Sequence, residues 1–511
     1  MPKIRLRFAP SPTGYLHIGS LRTVLFNYLA AKSLGGKLIL RIEDTDQKRE
    51  LKGAAEQLID VLNWIGVKFD EGPGLINAPF KSGDRGIKDV GKYGPYVQSQ
   101  RLEIYNKHAS QILKLGGAYH CFCAPERLAK MREEQQAQKL PPRYDRTCRD
   151  LSEEDIDEKI KKGEKLAPHR NAGFVIRQKM PLAGEIIAHD ELRGDIKFRA
   201  EDLEDHVLIK SDGMPTYQFA SVIDDHEMEI SHVLRGDEWI SSFPKNILLY
   251  QAFGWTPPKF FHLPLVLDKK GGKLSKRTGD AAVEDYREKG YLSEALLNFC
   301  VLLGWHPKNN DEILPLEKLL KEFNIYDTGT SPAVFDIEKL DYFNGYYIRH
   351  KNLDELVKLC MPYLKDNIKK STIENRQSKI YLKKVVALEQ ERLKKLSEIG
   401  ELTKFFFVDK LEYPAELLIW KKMTLTQVKQ NLEKIYELLE KIPEENWTND
   451  SIEEDLKSYI EAKNERVGEY LWPLRVALTG RKASPPPFDV AEILGKIESL
   501  KRIKEAFNKL T

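Results

Sequence analysis

The chain has 511 residues, too many for one ordinary core, and its length predicts three or four domains. Hydrophobic residues make up 41% and charged residues 31%, the balance of a soluble globular protein with a highly charged surface. Lys plus Arg number 81 and Asp plus Glu 78, a net of +3, which neither demands nor excludes nucleic acid, since basic residues can gather on one face.

Five cysteines, Cys121, Cys123, Cys148, Cys300 and Cys360, are too sparse for a disulfide framework and predict a reducing compartment. No apolar stretch approaches the ~20 residues that span a bilayer. Met1-Pro2-Lys3-Ile4-Arg5-Leu6-Arg7 lacks an apolar signal core and runs at once into a strand. A cytoplasmic protein without a transit peptide is expected.

Residues Ile4 to Phe8 alternate apolar and basic, which predicts a strand. A turn with Pro10, Pro12 and Gly14 follows. Leu21, Val24, Leu25, Tyr28 and Leu29 then repeat at helical spacing and predict one apolar stripe on an amphipathic helix. Gly35-Gly36 stops it, and Lys37 to Ile42 reads as the next strand. Strand, turn, helix, strand opens a doubly wound α/β fold. Residues 71 to 95 hold six glycines without helical period and predict a loop. Residues 116 to about 210, Cys-rich and charged, interrupt the α/β pattern as an inserted domain. Val207 to Ile209 and Tyr217 to Ile223 resume strand and helix character, and Leu263 to Leu267 reads as a late strand before a Gly/Lys loop. From about 346 onward long Leu/Ile/Lys/Glu stretches, such as Tyr381 to Ile399 and Leu425 to Ile442, predict an all-helical region.

Two segments carry chemistry. Phe8-Ala9-Pro10-Ser11-Pro12-Thr13-Gly14-Tyr15-Leu16-His17-Ile18-Gly19-Ser20 lies between the first strand and the first helix. There, helix-terminal N–H groups and the helix dipole favour phosphate. Gly14 and Gly19 permit close approach of a ligand, and His17 can donate to a phosphate oxygen. The two glycines have P-loop spacing, but Ser20-Leu21 replaces Lys then Ser or Thr, which argues against a Walker ATPase. Alone, the segment reads as a turn with a structural histidine. The second segment, Lys269-Lys270-Gly271-Gly272-Lys273-Leu274-Ser275-Lys276-Arg277, is a glycine-hinged cationic loop able to neutralise a leaving pyrophosphate. Alone, it reads as a solvated basic turn.

Together they resemble the two signatures of class I aminoacyl-tRNA synthetases: the HIGH motif as His17-Ile18-Gly19-Ser20, and the KMSKS motif as Lys273-Leu274-Ser275-Lys276-Arg277. Arg41-Ile42-Glu43-Asp44-Thr45-Asp46, Lys210-Ser211-Asp212-Gly213, Pro215-Thr216-Tyr217, Asp224-Asp225-His226, Arg235-Gly236-Asp237-Glu238-Trp239 and Phe343-Asn344-Gly345 resemble the bacterial-type glutamyl branch. The resemblance implies a Rossmann-type catalytic domain in two halves, residues 1–115 and 210–268. These are split by a tRNA acceptor-binding insertion at 116–209 and followed by a stem-contact region at 269–345 and a helical anticodon-binding region at 346–511. It also implies ATP-dependent activation of L-glutamate, then transfer to the 2′-hydroxyl of the terminal adenosine of tRNA(Glu), with AMP and diphosphate released and Mg²⁺ on the phosphates. A monomer without a membrane partner is expected.

By the same resemblance, Arg7, Ala9 and Ser11 line the amino-acid pocket. Glu43 holds the ammonium, Arg7 with Tyr217 the side-chain carboxylate, and Arg235 the α-carboxylate. Ser221 stands where relatives carry Asn, one helical turn past Tyr217. Gly14, His17, Gly19, Lys273, Leu274, Ser275, Lys276 and Arg277 hold ATP, with His17 and Lys276 catalytic. A dianion with one ammonium does call for two arginines and one acid, and guanidinium matches carboxylate in a fork. Cys121-x-Cys123 with Cys148 resembles the zinc stem-loop of some bacterial relatives. Structural zinc wants four ligands; the fourth is Tyr144 or Asp150, and three free thiols in a vestigial site are the alternative. Arg392 falls where discriminating relatives read the last anticodon base.

Rival assignments differ in their tails. A glutaminyl enzyme ends in β-barrels, whereas this tail reads helical. The short synthetase-like enzyme that modifies tRNA for aspartate lacks an anticodon domain. A cytidylyltransferase shares the H-x-G turn but has no such tail, and an idle RNA-binding relative would not keep Arg7, His17, Glu43 and Lys276. A form that also charges tRNA(Gln) is the remaining alternative.

Overall fold

The computed structural model describes residues 3–46, 51, 53–74, 89–166, 173–272, 274, 282–370 and 376–510. The chain forms two compact units, Met1–Tyr286 with Leu296–Asp336, and Arg287–Ala295 with Ile337–Thr511.

The strands in chain order are β1 (Arg5–Phe8), β2 (Lys37–Leu40), β3 (Ala118–Cys121), β4 (Val175–Gln178), β5 (Glu185–Asp190), β6 (Gly194–Arg199), β7 (Val207–Ile209), β8 (His232–Gly236), β9 (Lys259–Leu263), β10 (Val266–Leu267) and β11 (Ala333–Val334). The first unit is built on a parallel sheet of order β2-β1-β8-β9. The excursion between β2 and β8 carries an antiparallel sheet β3-β4-β7 and the hairpin β5-β6. All four residues of β1 are buried, so its apolar/basic alternation does not mark a solvent face. A parallel sheet is covered on both sides. Arg5 is therefore satisfied by both Glu71 oxygens at 2.8 and 3.0 Å, and Arg7 by Asp225.

The first helix, Ile18–Ser33, is buried on most of its circumference, with Arg22, Phe26, Asn27, Ala30 and Ala31 joining the expected stripe. The single stripe is thus a correction. The helix lies between the sheet and a second layer, where Phe26 meets Phe323 edge-on at 5.3 Å. The chain then turns at Gly35, φ 66°, and at Gly36 a Cβ would sit 2.6 Å from the Ile4 carbonyl oxygen. The strand expected across Leu263 to Leu267 is split into the end of β9 and β10, since Pro264 has no N–H to continue a ladder. Within 71–95 the described residues form no α-helix; residues 75–88 lie outside the description.

The second unit is helical around one apolar core. Leu425–Glu440 carries the capping box Thr424/Gln427 at its start. The helix expected from Tyr381 to Ile399 instead ends at Gln390 and restarts at Glu398. Leu393 and Leu396 turn into the core, and the Leu396 N–H donates to Gly290 at 3.0 Å, a tertiary demand no helical period reveals. Arg392 therefore sits on a turn and not within a helix.

Candidate active site

The carboxyl ends of β1 and β8 open into a cavity of about 990 Å³. Arg7, Ala9, Ser11, Gly14, His17, Glu43, Tyr217 and Arg235 all line it, as do Lys210, Glu238 and Trp239. Gly19 and Leu274 line a smaller adjoining cavity of about 60 Å³. Ser221 lines neither: it is buried, and its hydroxyl donates to the Gln218 carbonyl at 3.3 Å. Lys273, Ser275, Lys276 and Arg277 lie outside the described residues.

His17 caps its own helix. Its Nδ1 accepts the Ser20 N–H at 3.2 Å, and its Nε2 lies 3.0 Å from the Ser20 hydroxyl. A backbone N–H can only donate, so in the neutral ring the hydrogen is on Nε2, directed at the Ser20 hydroxyl on the wall of the cavity. The cationic loop begins at Asp268, whose Oδ1 accepts the N–H groups of Lys270 and Gly272 at 2.8 and 2.9 Å. Beyond it, Ala282 bridges to His17 and the Val283 N–H reaches the Leu16 carbonyl at 2.8 Å. The chain beyond the cationic segment is thereby tied to the turn that carries His17, and Leu274 lines the small cavity beside His17 and Gly19.

The deep end of the cavity is an alternating chain of buried charge. Asp225 Oδ1 accepts from Arg7 Nε at 3.0 Å and from Arg41 Nη1 at 2.7 Å, while Arg41 Nη2 and Nε donate to Glu43 Oε1 at 2.9 and 3.2 Å. Asp224 lies beneath, taking Arg101, Gln98 and Tyr105 at 2.7 to 2.9 Å. Burial raises the Glu43 acid to about 7 against the pull of Arg41 and Arg7. Burial also acts on Asp225, but Arg7 and Arg41 outweigh it and hold that carboxyl below its usual range. Arg41, Asp224 and Asp225 stand inside motif phrases quoted from the sequence, yet only the fold reveals that they pair. Arg235 differs: its Nε donates to His262 at 3.0 Å and its Nη2 to Asn246 at 3.1 Å, both neutral groups. Tyr217 packs against Trp239, the rings tilted by 31° with centres 4.4 Å apart.

In the insertion, the sulfurs of Cys121, Cys123 and Cys148 lie within 4.8 Å of one another, with Cys123 and Cys148 at 3.6 Å. Sulfurs on a tetrahedral zinc are about 3.8 Å apart, so the spacing fits. The Tyr144 hydroxyl lies 3.3 and 3.5 Å from Cys121 and Cys123, under an Arg177 guanidinium 3.9 Å from its ring centre. Asp150 instead faces outward to Lys179 at 3.4 Å, its side chain 82% exposed. In the helical unit, Arg392 Nη1 reaches both oxygens of buried Glu389 at 3.2 and 2.9 Å.

Comparison with known proteins agrees with this architecture. Residues 3–342 match the family described as tRNA synthetases class I (E and Q), catalytic domain, and residues 355–507 match an anticodon binding domain. A glutamate–tRNA ligase of Clostridium botulinum is 44% identical over 510 residues, 99% of each chain. One of Borreliella afzelii is 43% identical over 98% of each. The crystal structure of a glutamate tRNA ligase from Elizabethkingia meningosepticum, in complex with its amino acid, superposes with a TM-score of 0.86 at 36% identity over the whole of both chains. The chain belongs to the class I tRNA synthetase family of the E and Q type.

Proposed function

We propose that this chain is a glutamate–tRNA ligase, activating L-glutamate with ATP and passing it to the 2′-hydroxyl of the terminal adenosine of tRNA(Glu). One observation carries the choice of amino acid: the buried chain Arg7–Asp225–Arg41–Glu43, with Arg235 across the same cavity, offers cations for two carboxylates and an acid for one ammonium. Arg7 and Tyr217 take the side-chain carboxylate, Glu43 the ammonium, Arg235 the α-carboxylate, and the walls at Ala9 and Ser11 close the pocket. The α-carboxylate attacks the α-phosphorus and pyrophosphate leaves. His17 donates from Nε2 to a phosphate oxygen, and Lys276, with Lys273, Ser275 and Arg277, neutralises the departing charge. Mg²⁺ accompanies the phosphates and spreads their charge.

The five segments 1–115, 116–209, 210–268, 269–345 and 346–511 divide this work as catalytic halves, acceptor-binding insertion, stem contact and anticodon reader. Zinc held by Cys121, Cys123, Cys148 and Tyr144 braces the insertion; the inward Tyr144 hydroxyl and the outward Asp150 favour tyrosine as fourth ligand. Arg392 reads the last anticodon base.

ATP–pyrophosphate exchange with each amino acid, with and without tRNA, tests the assignment. Exchange should require glutamate and tRNA(Glu). Exchange driven by glutamine, or by glutamate in nuclease-treated enzyme, contradicts it.

A further inference from the structure

Arg235 and Arg7 share one cavity but are held in opposite ways. Arg7 spends part of its charge on Asp225, whereas the side chains bonded to Arg235 are neutral: an imidazole, an amide and the Tyr217 phenol. Its guanidinium also lies 5.2 and 5.7 Å from the ring centres of Phe260 and Phe243. A carboxylate directly on Arg235 would compete with an incoming carboxylate; neutral partners fix the guanidinium and leave its charge available.

The imidazole is itself fixed. Arginine only donates, so His262 Nε2 is unprotonated and the ring hydrogen is on Nδ1. That nitrogen lies 2.8 Å from Asp190 Oδ2, which also accepts the His262 backbone N–H at 2.9 Å. The other Asp190 oxygen takes the N–H groups of Leu192 and Arg193, each at 3.0 Å. Asp190 and His262 are both fully buried. Burial pushes His262 below the usual histidine range, in keeping with a neutral ring. Asp190 is the last residue of β5, in the inserted excursion, and the next N–H, of Glu191, donates to Phe260 on β9 at 2.8 Å. The arginine facing the amino-acid cavity is thus held, through one histidine, by a carboxylate of the insertion.

We propose that Asp190 and His262 are positioning residues for the α-carboxylate of the substrate. Asp190 sets the His262 tautomer, and His262 sets the Arg235 guanidinium, so that the β5-β6 hairpin completes the amino-acid site. This rests on the glutamate assignment above and on Arg235 as the α-carboxylate partner.

The test uses the full chain with saturating ATP and tRNA(Glu), and two ligands. One is glutamate, read as KM. The other is 4-amino-5-hydroxypentanoate, glutamate with its α-carboxylate reduced to an alcohol, read as a competitive inhibition constant. Wild type should favour glutamate strongly. His262→Phe, which suits the surrounding Phe243 and Phe260, should weaken glutamate about tenfold to a hundredfold and leave the alcohol within about threefold. His262→Gln, whose amide can accept from Arg235 and donate to Asp190, should restore most of the difference. Equal weakening of both ligands makes the role merely structural and overturns the proposal, as does an unchanged glutamate KM. Should His262→Phe fail to fold, Asp190→Asn carries the same comparison with the same expected sign. Equal wild-type affinity for the two ligands instead overturns the assignment of Arg235 itself.

Discussion

Arg41 and Glu43, two residues apart in the chain, face each other at 2.9 Å with both side chains buried. A buried pair of this kind earns little net stability, because desolvation offsets attraction. Its value lies in holding Glu43 in a set orientation beside Arg7. Even so, burial leaves the Glu43 acid at about 7, so the site is poised near neutrality.

That poise predicts a pH dependence with a definite sign. Only the ionised carboxylate can hold the substrate ammonium, and the folded acid is raised, so protonation near neutrality empties the competent form. Apparent glutamate affinity scales with the ionised fraction, so KM for glutamate should rise roughly tenfold from about pH 8 to about pH 6. Glu43→Gln should show a high KM that is flat over the same interval. A wild-type KM without slope would remove Glu43 as the ammonium partner.

Asp225 joins Arg7 to Arg41 through one oxygen, and Asp225→Asn leaves two buried guanidinium groups short of a counter-charge. Removing one partner of a buried network commonly costs about 3–5 kcal/mol. Urea unfolding should show a loss of that order, with a raised glutamate KM in whatever folds. A variant as stable as wild type would mean that solvent reaches the network.

The opening strand, turn, helix and strand were legible because local periodicity and glycine placement dictate them. So were the turn that carries His17 and the cluster of Cys121, Cys123 and Cys148, whose residues are close in sequence or carry a recognisable spacing. The charge network was not. Arg41 pairs with Asp225 across 184 positions, and Asp190 with His262 across 72, and no local pattern records such meetings. The same limit misplaced Ser221: a hydroxyl one turn past Tyr217 was expected in the pocket, but on a buried helix it satisfies a backbone carbonyl. The helix break before Ser397 likewise answers to Gly290, where even a Cβ would meet the Ser397 nitrogen at 2.6 Å.

Zinc analysis should find about one ion per chain, lost in Cys121→Ser/Cys123→Ser. Tyr144→Phe should lower zinc retention under chelator challenge, and Asp150→Asn should not. The reverse order would move the fourth ligand to Asp150, and metal-free, fully folded wild type would retire the site.

Lys276→Ala should slow adenylate formation by on the order of 10²–10³, the usual loss for one preorganised electrostatic contact. Transfer from preformed glutamyl-adenylate should be nearly unchanged. An equal fall in both steps would contradict a role confined to the leaving pyrophosphate.

The last expectation concerns the choice between tRNA(Glu) and tRNA(Gln), whose anticodons end in C and G respectively. Arg392 is partly exposed on a turn, its Nη1 fixed by both oxygens of Glu389. Burial raises Glu389 to about 7 while Arg392 pulls it down, so the pair is mutually dependent. A guanidinium offers only donors. The pairing edge of cytosine presents acceptors at O2 and N3, which such an arginine can bond. The guanine edge presents N1–H and N2–H₂ there, so donor would face donor. Polar groups left unpaired in a binding site give discrimination of a few kcal/mol, and splayed loop bases are the usual targets of edge reading. Wild type should therefore charge tRNA(Glu) and leave tRNA(Gln) nearly untouched, and Arg392→Gln, able to accept as well as donate, should narrow the ratio. A phosphate contact would behave otherwise: its loss would weaken both tRNAs alike. Charging both purified tRNAs with both enzymes separates the cases, and a ratio unmoved by the substitution, or efficient wild-type charging of tRNA(Gln), ends the case for Arg392 as the reader.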